Sequence, residues 1–325
     1  LSAFLNEVKK QSLYEEKSDL KIVYTPLHGT GNIPVRRMLE GLDVTVVKEQ
    51  ELPDGNFSTV RSPNPEEKDA LNIAIEKAKE IGADLVLGTD PDCDRVGIAV
   101  KDGDDYKLFT GNQTGALLVE YILSSKKAKG TLPENGVVIK TIVTTELAAA
   151  IAHSYGIEIM NVLTGFKYIG EKMTEFAKTG DHTYLIGFEE SYGYLVGTHA
   201  RDKDGVVATM LIAEMAAYYK TKGKSLYEAL MDIYKKYGYY SEKTVSFVMP
   251  GKDGMEKMSQ LLTDLRQTPP TKVAGMDVVL YTDYQSQTIK DTKGNVSPLK
   301  GLPKSNVLKY NLSDEKTYFI VRPSG

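Results

Sequence analysis

Three aspartates at alternating positions, Asp90, Asp92 and Asp94, follow directly on the apolar run Ala83–Gly88, and Arg95 comes next. Carboxylates brought side by side raise one another's pKa and repel unless a cation joins them. A strand end followed by a short loop aims alternate side chains at one point, an arrangement that suits a hard, oxygen-liganded ion such as Mg²⁺. Arg95 adds a fixed guanidinium fork, the group that phosphate chemistry calls for. An EF-hand fits poorly, because Arg95 stands at loop position six, where glycine is required, and Lys101 at position twelve, where glutamate is required. A solvated acidic turn is the other reading of the same residues.

Further polar sets recur where strands end. In Phe188-Glu189-Glu190-Ser191, alternate residues Glu189 and Ser191 suit a pair of vicinal hydroxyls, one as charged acceptor and one as donor and acceptor. An ordinary surface turn explains that set equally well. Lys167 follows the turn Thr164-Gly165, and Arg201 and Lys203 cluster ahead of a helix start; each can neutralise a phosphate, although lone lysines usually face solvent. Arg322-Pro323-Ser324-Gly325 joins a guanidinium, a hydroxyl and a glycine amide in four residues, the makings of a phosphate cradle. Gly29 and Gly31 permit a tight turn and bring amides toward an anion, but their spacing matches neither a nucleotide fingerprint nor a P-loop.

The elements that position these residues alternate between strand and helix. Leu1–Leu20 reads as an amphipathic helix, Leu20–Tyr24 and Val44–Lys48 as strands, Glu66–Gly82 as a helix, and Ala83–Gly88 and Val96–Lys101 as strands. The cadence restarts at Gly111, with helices at Gly115–Leu123, Thr145–Tyr155, Tyr168–Ala177, Val206–Tyr219 and Ser225–Tyr234 and strands at Gly136–Thr141, Glu158–Val162 and Tyr184–Gly187. Beyond a strand at Lys243–Val248 and the break Pro250-Gly251, one helix and short strands predict an antiparallel α+β piece. The expected fold class is α/β, with two consecutive βαβ-type mixed-sheet domains (1–109 and 110–245) and a partial α+β domain with an antiparallel sheet (246–325). In doubly wound sheets ligands gather at the carboxyl ends of strands, which is where the acidic loop falls.

Composition narrows the class. A length of 325 residues predicts two or three domains, and 41% hydrophobic residues can fill their cores. A net charge of −4 gives no nucleic-acid footprint. The single cysteine, Cys93, excludes an intrachain disulfide framework and points to the cytoplasm. No apolar run approaches the length of a membrane span.

Taken in order, these motifs resemble the α-D-phosphohexomutase family, of the bacterial phosphoglucomutase/phosphomannomutase type. The resemblance spans essentially the whole chain. It implies that Asp90, Asp92 and Asp94 hold Mg²⁺ together with a phosphoserine oxygen, and that Arg95 assists charge or proton movement beside it. Thr164, Gly165, Lys167, Glu189 and Ser191 would belong to sugar-site loops, Arg201 and Lys203 to the basic segment after them, and Arg322, Ser324 and Gly325 to the phosphate-binding loop. Implied, too, is the interconversion of glucose 1-phosphate and glucose 6-phosphate, or of mannose phosphates, through a bisphosphate. Related substrates are pentose and N-acetylhexosamine phosphates. A noncatalytic sugar-phosphate binding module and a metal-dependent phosphatase are the readings from other classes.

The family's phosphorylated serine lies in a Ser-His-Asn-Pro-type loop of its first domain. Ser62-Pro63-Asn64-Pro65 lacks the histidine and falls inside the first α/β unit. With Leu1 at one end and Gly325 closing a motif at the other, a fragment resembling domains two, three and most of four is expected, inactive by itself.

Overall fold

Apolar runs bounded by glycine and polar turns become the strands of three sheets in a computed structural model that describes residues 1–14, 18–314 and 316–323. The chain divides into two units, Leu1–Ser241 and Glu242–Gly325.

The first unit opens with α1 (Ser2–Lys9), β1 (Lys21–Thr25), α2 (Asn32–Met38), β2 (Asp43–Val46), α3 (Lys68–Ile81), β3 (Leu85–Thr89), β4 (Val96–Asp102) and β5 (Asp105–Phe109). Their sheet runs β2-β1-β3-β4-β5, parallel across its first three strands and antiparallel after them. All five residues of β3 are buried, which is why it reads as an uninterrupted apolar run. The connections from β1 and from β2 leave toward opposite sides of β1, so the switch point lies between β1 and β3. Loop 26–31 ends one of these strands and loop 90–95 the other.

The pattern then repeats with α4 (Gly111–Ala128), β6 (Gly136–Thr141), α5 (Leu147–Ser154), β7 (Glu158–Val162), α6 (Phe166–Thr179), β8 (Thr183–Phe188), β9 (Tyr194–Val196), α7 (Gly205–Thr221) and α8 (Leu226–Tyr237). The sheet order β7-β6-β8-β9 repeats the first four strands of the first sheet, β2-β1-β3-β4, three parallel and the fourth antiparallel, without a counterpart of β5. α7 is buried from Gly205 to Ala217 and packs against β3, β4 and β9, so it is apolar around its circumference. Asp204 caps it, accepting from Val206 N at 2.8 Å and Val207 N at 3.3 Å.

One carboxylate interrupts that apolar helix. Glu214 accepts from Leu13 N and Tyr121 Oη, each at 2.7 Å, and from the Ser12 hydroxyl. These bonds draw the chain off its helical path, so the amphipathic pattern predicted over Leu1–Leu20 forms a helix only to Lys9. Glu214→Ala is expected to cost about 3 kcal/mol, because buried donors lose their acceptor. Chemical denaturation checks this, and a loss below about 1 kcal/mol would show that water replaces the carboxylate.

The second unit contains α9 (Gly251–Gln267), β10 (Lys272–Val273), β11 (Met276–Asp283), β12 (Thr288–Asp291), β13 (Val296–Pro298), β14 (Leu308–Leu312) and β15 (Tyr318–Val321). The sheet is antiparallel, ordered β13-β12-β11-β14-β15 with β10 on β11, around Leu308, Tyr310 and Leu312. The strand predicted at Lys243–Val248 does not form; Phe247 is 79% exposed and Val248 89%. Its alternation of apolar and polar residues is strand-like, yet no ladder partner lies beside it among the described residues. No described helix is long and apolar enough to cross a membrane.

Candidate functional site

The acidic loop folds as its spacing predicts. Oxygens of Asp90, Asp92 and Asp94 all lie within 4.8 Å of one another. Asp90 Oδ1 accepts from Asp94 N at 3.0 Å and Arg95 N at 2.9 Å, closing the loop on itself. Cys93 takes φ +59°, a left-handed conformation that this closure imposes. Its thiol turns to Gly31 and Gly205, and burial, with the charges of Asp204 and Asp90, pushes it up to about 12. It therefore stays a protonated thiol, and the donors that converge are oxygens alone. Such a set fits a hard divalent cation.

Loop 26–31 buttresses this arrangement. Thr30 donates to the Pro91 carbonyl from its amide at 2.8 Å and from its hydroxyl at 3.1 Å, and Gly29 lies flush against Pro91. The amide of Gly29 donates to Pro26 O. These glycines thus serve close packing on the acidic loop rather than the anion nest their sequence suggests. His28 is held by Leu52 O at 2.8 Å and Thr59 Oγ1 at 2.7 Å, which ties loop 26–31 to the segment 52–59. Of the seven non-glycine residues with positive φ among the described residues, Leu27, His28, Cys93 and Tyr192 belong to these converging loops.

The second sheet delivers its glutamate loop to the same place. Arg95 pairs with Gly193 in an antiparallel bridge, Val96 N donates to Tyr192 O at 3.0 Å, and Gly205 N donates to Cys93 O at 2.9 Å. Glu189 is buried, and burial raises its pKa even though Gly165 N, 2.8 Å from Oε1, favours the charged form. Gly165 makes that contact at φ +116°, open only to glycine. Thr164 Oγ1 is buried without a hydrogen-bond partner, and the Ser191 hydroxyl beside Glu189 has none among the described residues. Lys203 Nζ reaches Asp94 Oδ2 at 3.0 Å; burial opposes its charge, but Asp94 and Asp202 more than offset this and raise its pKa.

Other expected residues stand apart. Arg201 spends its guanidinium on Thr198 O at 2.7 Å and Ala200 O at 2.9 Å. Lys167 is exposed, with Nζ 5.1 Å from the Tyr168 ring centre. Lys167, Arg201 and Lys203 line one open groove of about 800 Å³ along α6. His199 pairs with Asp204 at 2.7 Å, behind the cap of α7. In the second unit Arg322 is exposed just after β15, and Ser324 and Gly325 lie outside the described residues.

Three contributors escape a reading by residue type. Glu66 Oε1 takes Arg95 Nη1 at 3.1 Å, and the hydroxyls of Thr141 and Thr144 each hold Glu190 Oε2 at 3.2 Å. The only sequence signal for Glu66 is its place after Pro63-Asn64-Pro65, which fixes the backbone ahead of it.

Known proteins share the two α/β domains in this order. Residues 2–103 match the phosphoglucomutase/phosphomannomutase alpha/beta/alpha domain II, and residues 110–237 match domain III. The chain belongs to the phosphoglucomutase/phosphomannomutase family. It is 35% identical to a phosphoglucomutase of Staphylococcus haemolyticus over 328 residues and 37% identical to one of Staphylococcus aureus over 331 residues. These alignments cover 99% of the chain but 58% of each relative, so the chain spans well under two thirds of their length. Among solved structures, Paramecium parafusin, a phosphoglucomutase, covers the whole chain at TM-score 0.63 and 19% identity, with 55% of that protein matched. A phosphoglucomutase/phosphomannomutase family protein of Burkholderia thailandensis covers 98% of the chain and 58% of its own at TM-score 0.62 and 17% identity. At such identities these two likenesses speak to the family's fold.

Proposed function

We propose that this chain supplies the cation and sugar-hydroxyl parts of a phosphohexomutase that interconverts glucose 1-phosphate and glucose 6-phosphate, within a three-domain partition at 1–109, 110–245 and 246–325. The observation that carries this reading is the Lys203–Asp94 contact of 3.0 Å, which ties the segment following the glutamate loop to the acidic triad. A hydroxyl-binding set and a cation set thereby share one place, as phosphoryl transfer to a sugar hydroxyl requires.

Asp90, Asp92 and Asp94 hold Mg²⁺ in this proposal. The ion's chemistry is to neutralise charge on the oxygens of a transferring phosphoryl group. Arg95 supplies further positive charge, since one guanidinium nitrogen, Nη2, has no hydrogen-bond partner among the described residues. Lys203 exchanges Asp94 for a substrate phosphate. Glu189, Ser191 and Thr164 offer one carboxylate oxygen and two unpartnered hydroxyls to adjacent sugar hydroxyls, while Gly165 keeps Glu189 in place. Lys167 and Arg201 line the groove by which an anion approaches, and Arg322, Ser324 and Gly325 bind phosphate.

The phosphoryl donor is a phosphoserine that these 325 residues do not include. The purified chain is accordingly expected to give no turnover of glucose 1-phosphate, and robust conversion would overturn that assignment. Added to a serine-bearing partner segment, its relative rates on the glucose, mannose, ribose and N-acetylglucosamine 1-phosphates report the preferred sugar. Asp92→Ala is expected to abolish Mg²⁺ binding by calorimetry; unchanged affinity would remove the triad from the proposal.

A further inference from the structure

Two of the chain's own cations already face the carboxylates that would hold the metal. Besides Lys203, Arg95 Nε lies 3.8 Å from Asp90 Oδ2 and 3.7 Å from Asp94 Oδ1. A guanidinium so placed competes with a metal ion, since both are drawn to the same oxygens. The Arg95 guanidinium nevertheless stops short of hydrogen-bonding distance to either aspartate. Its hydrogen bond goes the other way, from Nη1 to Glu66 Oε1 at 3.1 Å.

Glu66 is held where it can do this. Asn64 Oδ1 accepts Glu66 N at 3.0 Å, and the Asn64 carbonyl accepts Glu67 N at 2.9 Å. Pro65 then seats on β4 against Gly97, where a Cβ would fall 2.5 Å from the Pro65 carbonyl oxygen. Gly97 follows Arg95 by two residues, so the contact registers Glu66 beside the arginine. The Glu66 side chain is 33% exposed, which leaves water limited room to take its place.

We propose that Glu66 is a positioning residue that draws the Arg95 guanidinium away from Asp90 and Asp94 and so keeps their oxygens open to the cation. The inference rests on the metal reading of the triad given above. With Glu66 removed, Arg95 is free to close as a fork on the two aspartates, and an entering ion must displace it.

Binding of Mn²⁺ to the 325-residue chain, with free ion counted by electron paramagnetic resonance, tests this without recourse to turnover. Glu66→Ala is expected to weaken binding about tenfold and Glu66→Gln, which keeps an acceptor but loses the charge, about threefold. The decisive comparison is in an Arg95→Ala background, where Glu66→Ala is expected to change the affinity less than about twofold. Equal losses in both backgrounds would mean that Glu66 acts through its own charge on the ion, and would overturn the proposal. So would wild-type affinity in both Glu66 variants. Should Glu66→Ala fail to fold by circular dichroism, Glu66→Gln in the two backgrounds separates the same outcomes. Absence of Mn²⁺ binding by the unsubstituted chain would instead overturn the metal reading itself.

Discussion

Gly29→Ala is expected to destabilise the first unit by about 2 to 3 kcal/mol and to abolish its divalent-cation binding. A Cβ at Gly29 would stand 2.4 Å from Pro91 Cα, 2.6 Å from its carbonyl oxygen and 2.8 Å from its carbonyl carbon. All three are backbone atoms, and no side-chain rotation moves them aside. Pro91 is also the residue between Asp90 and Asp92, and Thr30 grips its carbonyl from both amide and hydroxyl. A methyl group here therefore either breaks that grip or pushes two of the three carboxylates off their common point. Gly55 is the control, since no atom would lie within 4 Å of its Cβ and its φ is not positive. Gly55→Ala should change stability by less than about 0.5 kcal/mol and leave binding untouched. Denaturation and Mn²⁺ titration of both variants make the test. A Gly29→Ala protein with wild-type stability and affinity would show that loop 26–31 does not buttress the acidic loop.

That buttress illustrates what the sequence makes legible and what it does not. The acidic triad can be read because β3 is buried on both faces, and a fully apolar strand announces where its polar C-terminal loop begins. The glutamate loop after β8 is legible for the same reason. Pairings between distant segments leave no such trace. Lys203 with Asp94, Glu66 with Arg95, and Thr141 and Thr144 with Glu190 join common polar residue types whose partners only the topology selects.

Glycine misleads in a particular way. Gly111 and Gly115 suggest a late start for α4, yet both lie inside it. Gly111 is there because the Glu190 carbonyl would sit 2.2 Å from a Cβ, and Gly115 because the Phe188 ring would sit 2.1 Å away. The helix gives up propensity to approach the glutamate loop and its strand closely. β9, three residues long, lacks room for a periodic signal, and β5, five residues long, gives only a short one. Lys243–Val248 errs in the opposite sense, because alternation states which face of a strand is apolar but not that a neighbour exists.

The second large effect expected is a pH-dependent cation affinity governed by Asp90. Burial raises its carboxyl to about 7; the Arg95 amide favours the charged form, but the charges of Asp94 and Asp92 add to the rise. A metal ion needs that carboxylate ionised. Affinity should hence fall about tenfold for each pH unit below about 7, and level off above it. Stability moves in the opposite direction in the metal-free chain. The unfolded chain releases this proton near 3.8 while the folded chain keeps it to about 7, so the folded state binds more protons in between and loses stability as pH rises through that window. A cation reverses the loss by taking the place of the proton. Added Mg²⁺ should therefore raise the melting temperature clearly at about pH 8 and little at about pH 5, and Asp90→Asn should remove both the metal-free trend across that window and the Mg²⁺ response. An equal Mg²⁺-induced shift at both pH values would show that Asp90 is ionised throughout, and that the triad's charge is balanced from within the chain by Arg95 and Lys203.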